Sequence, residues 1–425
     1  MNRKERRRQK KISTNINENT HKTTKLDANT VTMSLNQAKM ALSMKNLELA
    51  ANMINEVLQA DSNHPDALNL KATLLLDSGQ AQEAIRLFMK IIKVVPSFAQ
   101  AHFNLGTALN SVGKTKRAIK SLQHALKIEP DYADAHFNLA NSWRQIGNTH
   151  SSIGHYLKVL NLDPGHSAAA TNLASAQLEL GNPTEAYDAT TQARSIDPGN
   201  RDAFAFQAIA ATEMGDKHTA AHILNPNVLI YEKQFKARPS FDTLTNFNKS
   251  LAKHVLAHPT LAKEPHNKAT QNGQQTDNLA LGDRGPIAEL QVMIGEALDE
   301  YLETIKVDET HPYPPLIPNL TKIDIWGTVL GAQGYQAAHM HRAAWISGVY
   351  YVKLPDVMHK AKDGNAGWIE FCRPPDEFLC TQEHDVKTIQ PREGSMVLFP
   401  SYLYHRTIPF ESDDIRISIA FDLLA

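Results

Sequence analysis

The apolar positions of this chain obey two different rules. Between Val31 and about Leu224, small residues return at a fixed interval of 34: Ala67, Ala101, Ala135, Ala169 and Ala203 form one series. Ala84, Ala118, Ala186 and Ala220 form a second, with Ser152 in its gap. Gly79, Gly113, Gly147, Gly181 and Gly215 keep the same interval, as do Pro96, Pro130, Pro164 and Pro198. A unit of this length holds two helices, with small residues where they cross closely and proline where the second must stop. Asn46 and Leu47 to Asp61 read as an earlier, divergent copy, so about five repeats are expected, the last truncated.

From about Thr321 the rule changes. Lys322 to Trp326, Trp345 to Val352, Gly367 to Phe371, Met396 to Pro400 and Ile415 to Phe421 are short runs rich in β-branched and aromatic residues. Gly, Pro and Asp divide them, and the last run alternates with period two. At least five strands without a helical period predict a small barrel or sandwich, with ligands held at strand ends near its mouth. Between the halves, Lys263 to Gly282 reads as loop, and Ile287 to Ile305 as an amphipathic helix packed on the outside of the strands.

The interval of 34 is that of tetratricopeptide repeats, which stack into a superhelix with a peptide-binding groove. Asn104, Asn138 and Asn172 again fall 34 apart, each before a Leu-Gly or Leu-Ala step. An amide offers a donor and an acceptor together, so such a ladder can hold a peptide backbone without reading its sequence. The run His102-Phe103-Asn104-Leu105-Gly106 resembles the repeats of O-linked N-acetylglucosamine transferases, which carry an asparagine ladder at the matching position. The alternative role for these residues is to bridge neighbouring helices.

Candidate chemistry lies in the last quarter. His339-Met340-His341 is followed by a lone His405 and then by Arg416. Three imidazoles can hold a divalent first-row metal with coordination positions left open, as oxygen chemistry requires. An arginine in a closed pocket would clamp a carboxylate through its planar fork of donors. Arg416 and Ser418 share a strand face at period two.

Those residues and the strands around them resemble the double-stranded β-helix of Fe(II)/2-oxoglutarate dioxygenases, in the branch that includes prolyl hydroxylases. The matches are His339, the Val349-Tyr350-Tyr351 step, Pro391 to Gly394, His405, and Arg416 with Ser418. The resemblance implies that His339 and His405 ligate iron. It makes Arg416 the partner of the distal carboxylate of 2-oxoglutarate, with Tyr350 and Ser418 as hydrogen-bonding companions. The usual Asp of the motif is His341 here, as in a group of oxygenase-like proteins with a His-x-His before a Ser-Gly-Val-Tyr-Tyr strand. His341 is then either a third ligand or points away, with water or cosubstrate in its place.

The expected architecture is a multidomain α+β chain. It has a basic arm (residues 1–30), a helical tetratricopeptide solenoid (31–226) and an oxygenase domain (227–425) whose β-helix core spans about 321–425, supported by helices. The function this implies is Fe(II)- and 2-oxoglutarate-dependent hydroxylation of a protein or peptide brought by the repeats. Two alternatives stand beside it: a non-catalytic adaptor with a degenerate barrel, and a three-His dioxygenase that needs no 2-oxoglutarate. A carboxylate clamp at Arg416 and Ser418 is needed by neither.

Other residues receive plainer readings. His359 and His384 are expected to face solvent, and Trp326, Trp345 and Trp368 to line core or pocket. Cys372 and Cys380, without a companion pair, do not make a zinc site. Arg342 and Arg406 each follow a metal candidate and should border the mouth. At 425 residues and a net charge of −1, two to three domains are expected, with no strong field for nucleic acid or membrane. The exception is the cluster of Arg3, Lys4, Arg6, Arg7, Arg8, Lys10 and Lys11, an arm suited to something anionic. It lacks the apolar core of a signal peptide, no run of eighteen apolar residues exists, and two cysteines suit a cytoplasmic setting.

Overall fold

The computed structural model describes residues 26–236, 240–263, 269–305, 310–360 and 364–425, so the basic cluster Arg3 to Lys11 lies outside the described residues, while the first helix starts at Ala28, inside the expected arm. The chain separates into two compact units, Met1–Ala169 and Ala170–Ala425.

The first unit is a stack of helix pairs: Ala28–Ser43 with Leu47–Ala60, Pro65–Asp77 with Ala81–Val94, Ala99–Ser111 with Thr115–Ile128, and Ala133–Gln145 with Thr149–Leu162. The periodic alanines sit where helices cross. Ala67, Ala84, Ala101, Ala118 and Ala135 are fully buried, and Ser152 fills the same role as the alanines it replaces. Gly106 lets two helices approach even more closely, since a Cβ there would lie 2.6 Å from Leu122 Cγ. Each pair turns through a residue of positive φ, glycine at 79, 113 and 147. Lys45 adopts the same conformation (φ +56°) one interval before Gly79, so the divergent first copy is a full repeat. Asp27 caps its first helix by accepting from the amides of Asn29 and Thr30.

The second unit begins in the helix Ser167–Glu179 and holds Pro183–Ile196, Arg201–Glu213 and Lys217–Leu224 before the strands start. Six helix pairs are therefore present among the described residues, one more than the periodicity suggested. The last helix pair ends at Leu224, but the packing boundary falls earlier. Phe204 stacks on Tyr402 and lies edge-on to Tyr313, with ring centroids 5.3 and 5.2 Å apart. Tyr402 donates its hydroxyl hydrogen to the Ile223 carbonyl at 2.6 Å. The last repeat thus shares a core with the strands.

Ten strands form one curled sheet: β1 (Tyr231–Gln234), β2 (Ala262–Lys263), β3 (Thr270–Gln275), β4 (Lys322–His339), β5 (Ile346–Lys353), β6 (Ile369–Phe371), β7 (Lys387–Ile389), β8 (Ser395–Pro400), β9 (His405–Thr407) and β10 (Arg416–Leu424). Their order is β1-β8-β5-β10-β4-β9-β6-β7, with β3 and β2 added beside β4. The long β4 joins the two parts of the curl, pairing with β10 through Lys322–Leu330 and with β9 through Gln336 and His339. The sequence reading of Lys263–Gly282 as loop is corrected by β3. Its run Thr-Gln-Asn-Gly-Gln-Gln has no apolar alternation, because β4 rather than the core holds it.

Alternation decides which side chains meet. On β10, Ile417, Ile419, Phe421 and Leu423 pack with Ile325, Val329, Ile346, Tyr350, Val352, Met396 and Leu398 against the helices Leu244–Leu256 and Ile287–Ile305. The external packing of Ile287–Ile305 is as expected. The opposite face of the same strands carries Arg416, Ser418, Asp422, Thr328 and Tyr351.

Candidate metal and anion site

His339 ends β4, His341 follows two residues later, and His405 opens β9 directly across from His339. One ring nitrogen of each lies within 4.8 Å of those of the other two. In each imidazole Nδ1 already has an acceptor: Ala337 O at 2.7 Å for His339, Leu403 O at 3.0 Å for His405, and Asp422 Oδ1 at 2.5 Å for His341. Donation from Nδ1 leaves the lone pair on Nε2 in all three, the tautomer a metal ligand needs. Ser347 also donates to Asp422 Oδ1, at 2.6 Å, and fixes that carboxylate. A His341 ring held by Asp422 is the carboxylate–histidine arrangement found around ligating imidazoles, and it favours the third-ligand reading over a His341 that points away.

Burial and the neighbouring His341 push His339 down to about 4, and His405 falls well below the ordinary histidine value through burial and the other two rings. Both imidazoles are therefore neutral near pH 7, ready to bind a cation. Phe399 and Phe371 pack on His405, which keeps one side of the cluster dry.

Arg416 lies on the same inner face and is 1% exposed. Its Nη1 donates to Ser418 Oγ at 3.1 Å, as its position two residues away anticipated. Among the described residues no carboxylate pairs with it, and its buried Nε has no partner. Two further buried hydroxyls next to it have hydrogens with no acceptor: that of Thr328, and that of Tyr351, whose oxygen faces the guanidinium. Tyr351 and Thr328 face Ser418 from β5 and β4, on either side, and the guanidinium sits 5.2 Å over the Tyr351 ring. A buried cation with three unmet donors is costly unless an anion completes it. This cradle fits a carboxylate.

Tyr350 belongs elsewhere. Its hydroxyl donates to Asn248 Oδ1 at 2.7 Å, and its ring packs with Phe235 and Phe247 on the helix-covered face. The side chain brought to Arg416 is Tyr351. Ile346 to Val352 is buried on both faces, and its one polar side chain, Ser347, shares the parity of Tyr351 and was the signal for which tyrosine points inward. Asp422 and Thr328 were also missed; only the register of β10 against β4 and β5 reveals them.

Arg342 and Arg406 are both tied down. Arg342 Nε donates to Asp202 Oδ1 at 2.7 Å, and Arg406 Nε to Glu370 Oε1 at 2.6 Å, a carboxylate that also holds Arg373. Trp345 lies under the guanidinium of Arg201. His384 does not face solvent: its side chain is 7% exposed and bonds Glu213. Asn104 donates to Asn69 Oδ1 and Asn138 to Thr107 Oγ1, each at 3.0 Å, so these amides bridge neighbouring repeats. Asn172 sits half-buried on the helix Ser167–Glu179.

Comparison with known proteins agrees with this division. Residues 324–422 match the family model described as "Putative 2OG-Fe(II) oxygenase". Residues 41–106 match "Tetratricopeptide repeat", and 107–147 match "TPR repeat". The chain thus combines tetratricopeptide repeats with a domain of the 2OG-Fe(II) oxygenase type. Similar solved structures include PilF of Pseudomonas aeruginosa (17% identity, 47% of this chain and 91% of that one, TM-score 0.43). Others are MamA from Desulfovibrio magneticus RS-1 (20%, 41% and 98%, 0.36) and YrrB, a TPR protein with an unusual peptide-binding site (16%, 41% and 90%, 0.38). No curated protein matches. Among the described residues no helix is long and apolar enough to cross a membrane.

Proposed function

We propose that this protein is an Fe(II)- and 2-oxoglutarate-dependent oxygenase that hydroxylates a protein or peptide recruited by its repeats. The carrying observation is the cradle of Arg416, Tyr351, Thr328 and Ser418 on the sheet face that also carries Asp422, the partner of His341, together with three clustered histidines whose Nε2 lone pairs are free. His339, His341 and His405 would hold the iron, and Arg416 with its hydroxyl companions would take the distal carboxylate of 2-oxoglutarate. Together these groups supply an oxidation in which O2 is consumed, 2-oxoglutarate yields succinate and CO2, and a substrate C–H bond becomes C–OH.

The chain's own contribution is placement. Asp422 keeps the His341 proton on Nδ1, and the Ala337 and Leu403 carbonyls do the same for the other two rings. Burial pushes the Tyr351 phenol up to about 12, so it remains a donor at neutral pH. Three neutral ligands leave the metal more positive than a carboxylate would, which suits a dianionic cosubstrate. A three-His oxygenase independent of 2-oxoglutarate would leave the Arg416 cradle without purpose, and so would an adaptor. Two free cysteines fit a reducing, cytoplasmic setting.

Recruitment falls to the asparagine ladder. Each amide nitrogen has two N–H bonds, so Asn104 and Asn138 keep one for a peptide after bridging their neighbours. The purified, iron-loaded protein should release succinate slowly from 2-oxoglutarate without any second substrate. Replacing Asn104, Asn138 and Asn172 by Ala should spare that release but weaken capture of the protein substrate, by roughly 0.5–1.5 kcal/mol per lost bond. Wild-type protein that binds iron and 2-oxoglutarate yet yields no succinate would make it a binding protein.

A further inference from the structure

Away from the three histidines, the loop between β6 and β7 folds back onto the C-terminal ends of the helices Ser167–Glu179 and Arg201–Glu213. Phe378 lies edge-on to Phe206 with centroids 5.5 Å apart, and the Leu379 amide donates to the Leu178 carbonyl at 3.0 Å. The Leu379 side chain covers Gly181, where a Cβ would come within 2.9 Å of it. Beyond these contacts the loop wraps the carboxylate of Glu213, the last residue of the helix Arg201–Glu213. Glu213 accepts from the amides of Thr381 (2.6 Å) and Gln382 (3.3 Å), from the Thr381 hydroxyl (3.1 Å), and from His384 Nε2 (2.8 Å).

Cys380 completes the group. Its sulfur, a Glu213 oxygen and a His384 ring nitrogen all lie within 4.8 Å of one another. The Glu213 and His384 side chains are 5% and 7% exposed. With Nε2–H donating to Glu213, Nδ1 points away from the carboxylate and has no partner, so it can take up the ring proton when Nε2 gives it up. The Cys380 thiol also hydrogen-bonds Glu213, so a thiol and an imidazole N–H converge on one buried carboxylate, a donor set that a divalent cation can hold once both protons leave.

We infer that Glu213, Cys380 and His384 bind a divalent cation of the zinc class, with water as the fourth ligand. Tetrahedral zinc with bonds of about 2.0–2.3 Å places its ligand atoms roughly 3.3–3.7 Å apart. The widest separation needs to close by about 1 Å, and the Glu213–His384 contact to open by about half an ångström, to reach that spacing. The ion would displace the thiol proton of Cys380 and shift the His384 proton from Nε2 to Nδ1, and the thiolate and carboxylate together would balance its charge. A sulfur donor distinguishes this set from the three-imidazole cluster, which suits iron, and the two share no residue. The inference is independent of the oxygenase reading.

Titrating the full-length protein with Co(II) tests it, because only a thiolate ligand gives intense sulfur-to-metal charge-transfer absorption. Two equivalents should bind, one with that absorption. Cys380→Ser should abolish the absorption and keep one equivalent, whereas Cys372→Ser should keep both. Should Cys380→Ser fail to fold, native mass spectrometry of a His339→Ala/His405→Ala double variant with Zn(II) alone decides: one retained ion supports the site and none overturns it. A Co(II)-loaded wild-type protein without thiolate absorption, or a band that survives in Cys380→Ser, also overturns it.

Discussion

The repeat array and the barrel are stabilised by the same kind of burial, but they differ in how much a single residue matters. In the array each structural position has copies. Ser152 stands in for alanine, and Lys45 turns the chain where later repeats use glycine, without loss of the helix pair. In the barrel the key positions are unique and come from separated strands. Arg416 on β10, Tyr351 on β5 and Thr328 on β4 share one face only because two registers bring them there. Redundancy makes the array tolerant and its period visible. Convergence makes the barrel's site fragile and its partners hard to foresee.

The comparison can be broken most forcefully at its seam. If the last repeat is part of the barrel's core, a segment starting at residue 227 loses Phe204 and Ile223 and uncovers Tyr313 and Tyr402. Burial of side chains this size is worth roughly 3–5 kcal/mol each, a large share of the stability of any domain. A segment from residue 170 should unfold cooperatively in a thermal melt followed by circular dichroism, whereas one from 227 should aggregate or melt without cooperativity. Equal behaviour of the two would return the boundary to the end of the periodic pattern.

Within the barrel, Arg416→Ala should have the next largest effect. Removing one partner of a buried charge pair costs about 3–5 kcal/mol. Isothermal titration should show 2-oxoglutarate affinity down by roughly a hundredfold or more, with iron binding intact. Unchanged affinity would remove Arg416 from the cosubstrate's site.

How legible these features were follows the same divide. The interval of 34 exposed the repeats because each helix pair contacts mainly its sequence neighbours, so local spacing carries the fold. His339, His341, His405, Arg416 and Ser418 were also readable, because their order along the strands is distinctive, and the structure brings the histidines together and Arg416 against Ser418. The inward tyrosine was missed. Ile346 to Val352 is buried on both sides, and a nearly continuous apolar run declares its parity only through Ser347, a single small polar residue. Asp422 and Glu213 were invisible for another reason. Each acts on a residue more than eighty positions away, through strand register in one case and loop docking in the other.

Asp422 gives the third test. An outer carboxylate that orients a ligating histidine typically changes metal affinity 10- to 100-fold. Asp422→Ala should weaken iron binding by about that factor while His405→Ala eliminates it. His341→Asp adds a sharper arm, because the new carboxylate would branch from the place of Nδ1, within reach of Asp422. It should bind iron poorly alone and better when combined with Asp422→Asn, by equilibrium competition against a chelator. Iron affinity indifferent to Asp422 would mean that His341 is not a ligand.

The smallest effects separate two adjacent tyrosines. Tyr350→Phe removes the donor to Asn248 Oδ1 and leaves that buried acceptor unmet, a loss of about 1–3 kcal/mol in stability. It should lower the melting temperature and leave 2-oxoglutarate affinity alone. Tyr351→Phe deletes a hydroxyl whose one neighbour in the unliganded protein is the Arg416 guanidinium, so the melting temperature should change little. Its cost should appear on binding instead, as one missing hydrogen bond to a charged group, about 1.5–3 kcal/mol or a factor of roughly 10 to 150 in Kd. The two variants differ by one residue and one oxygen atom, yet they should fail in different assays. If both simply lower the melting temperature, the inner face of β5 is packing rather than a carboxylate cradle.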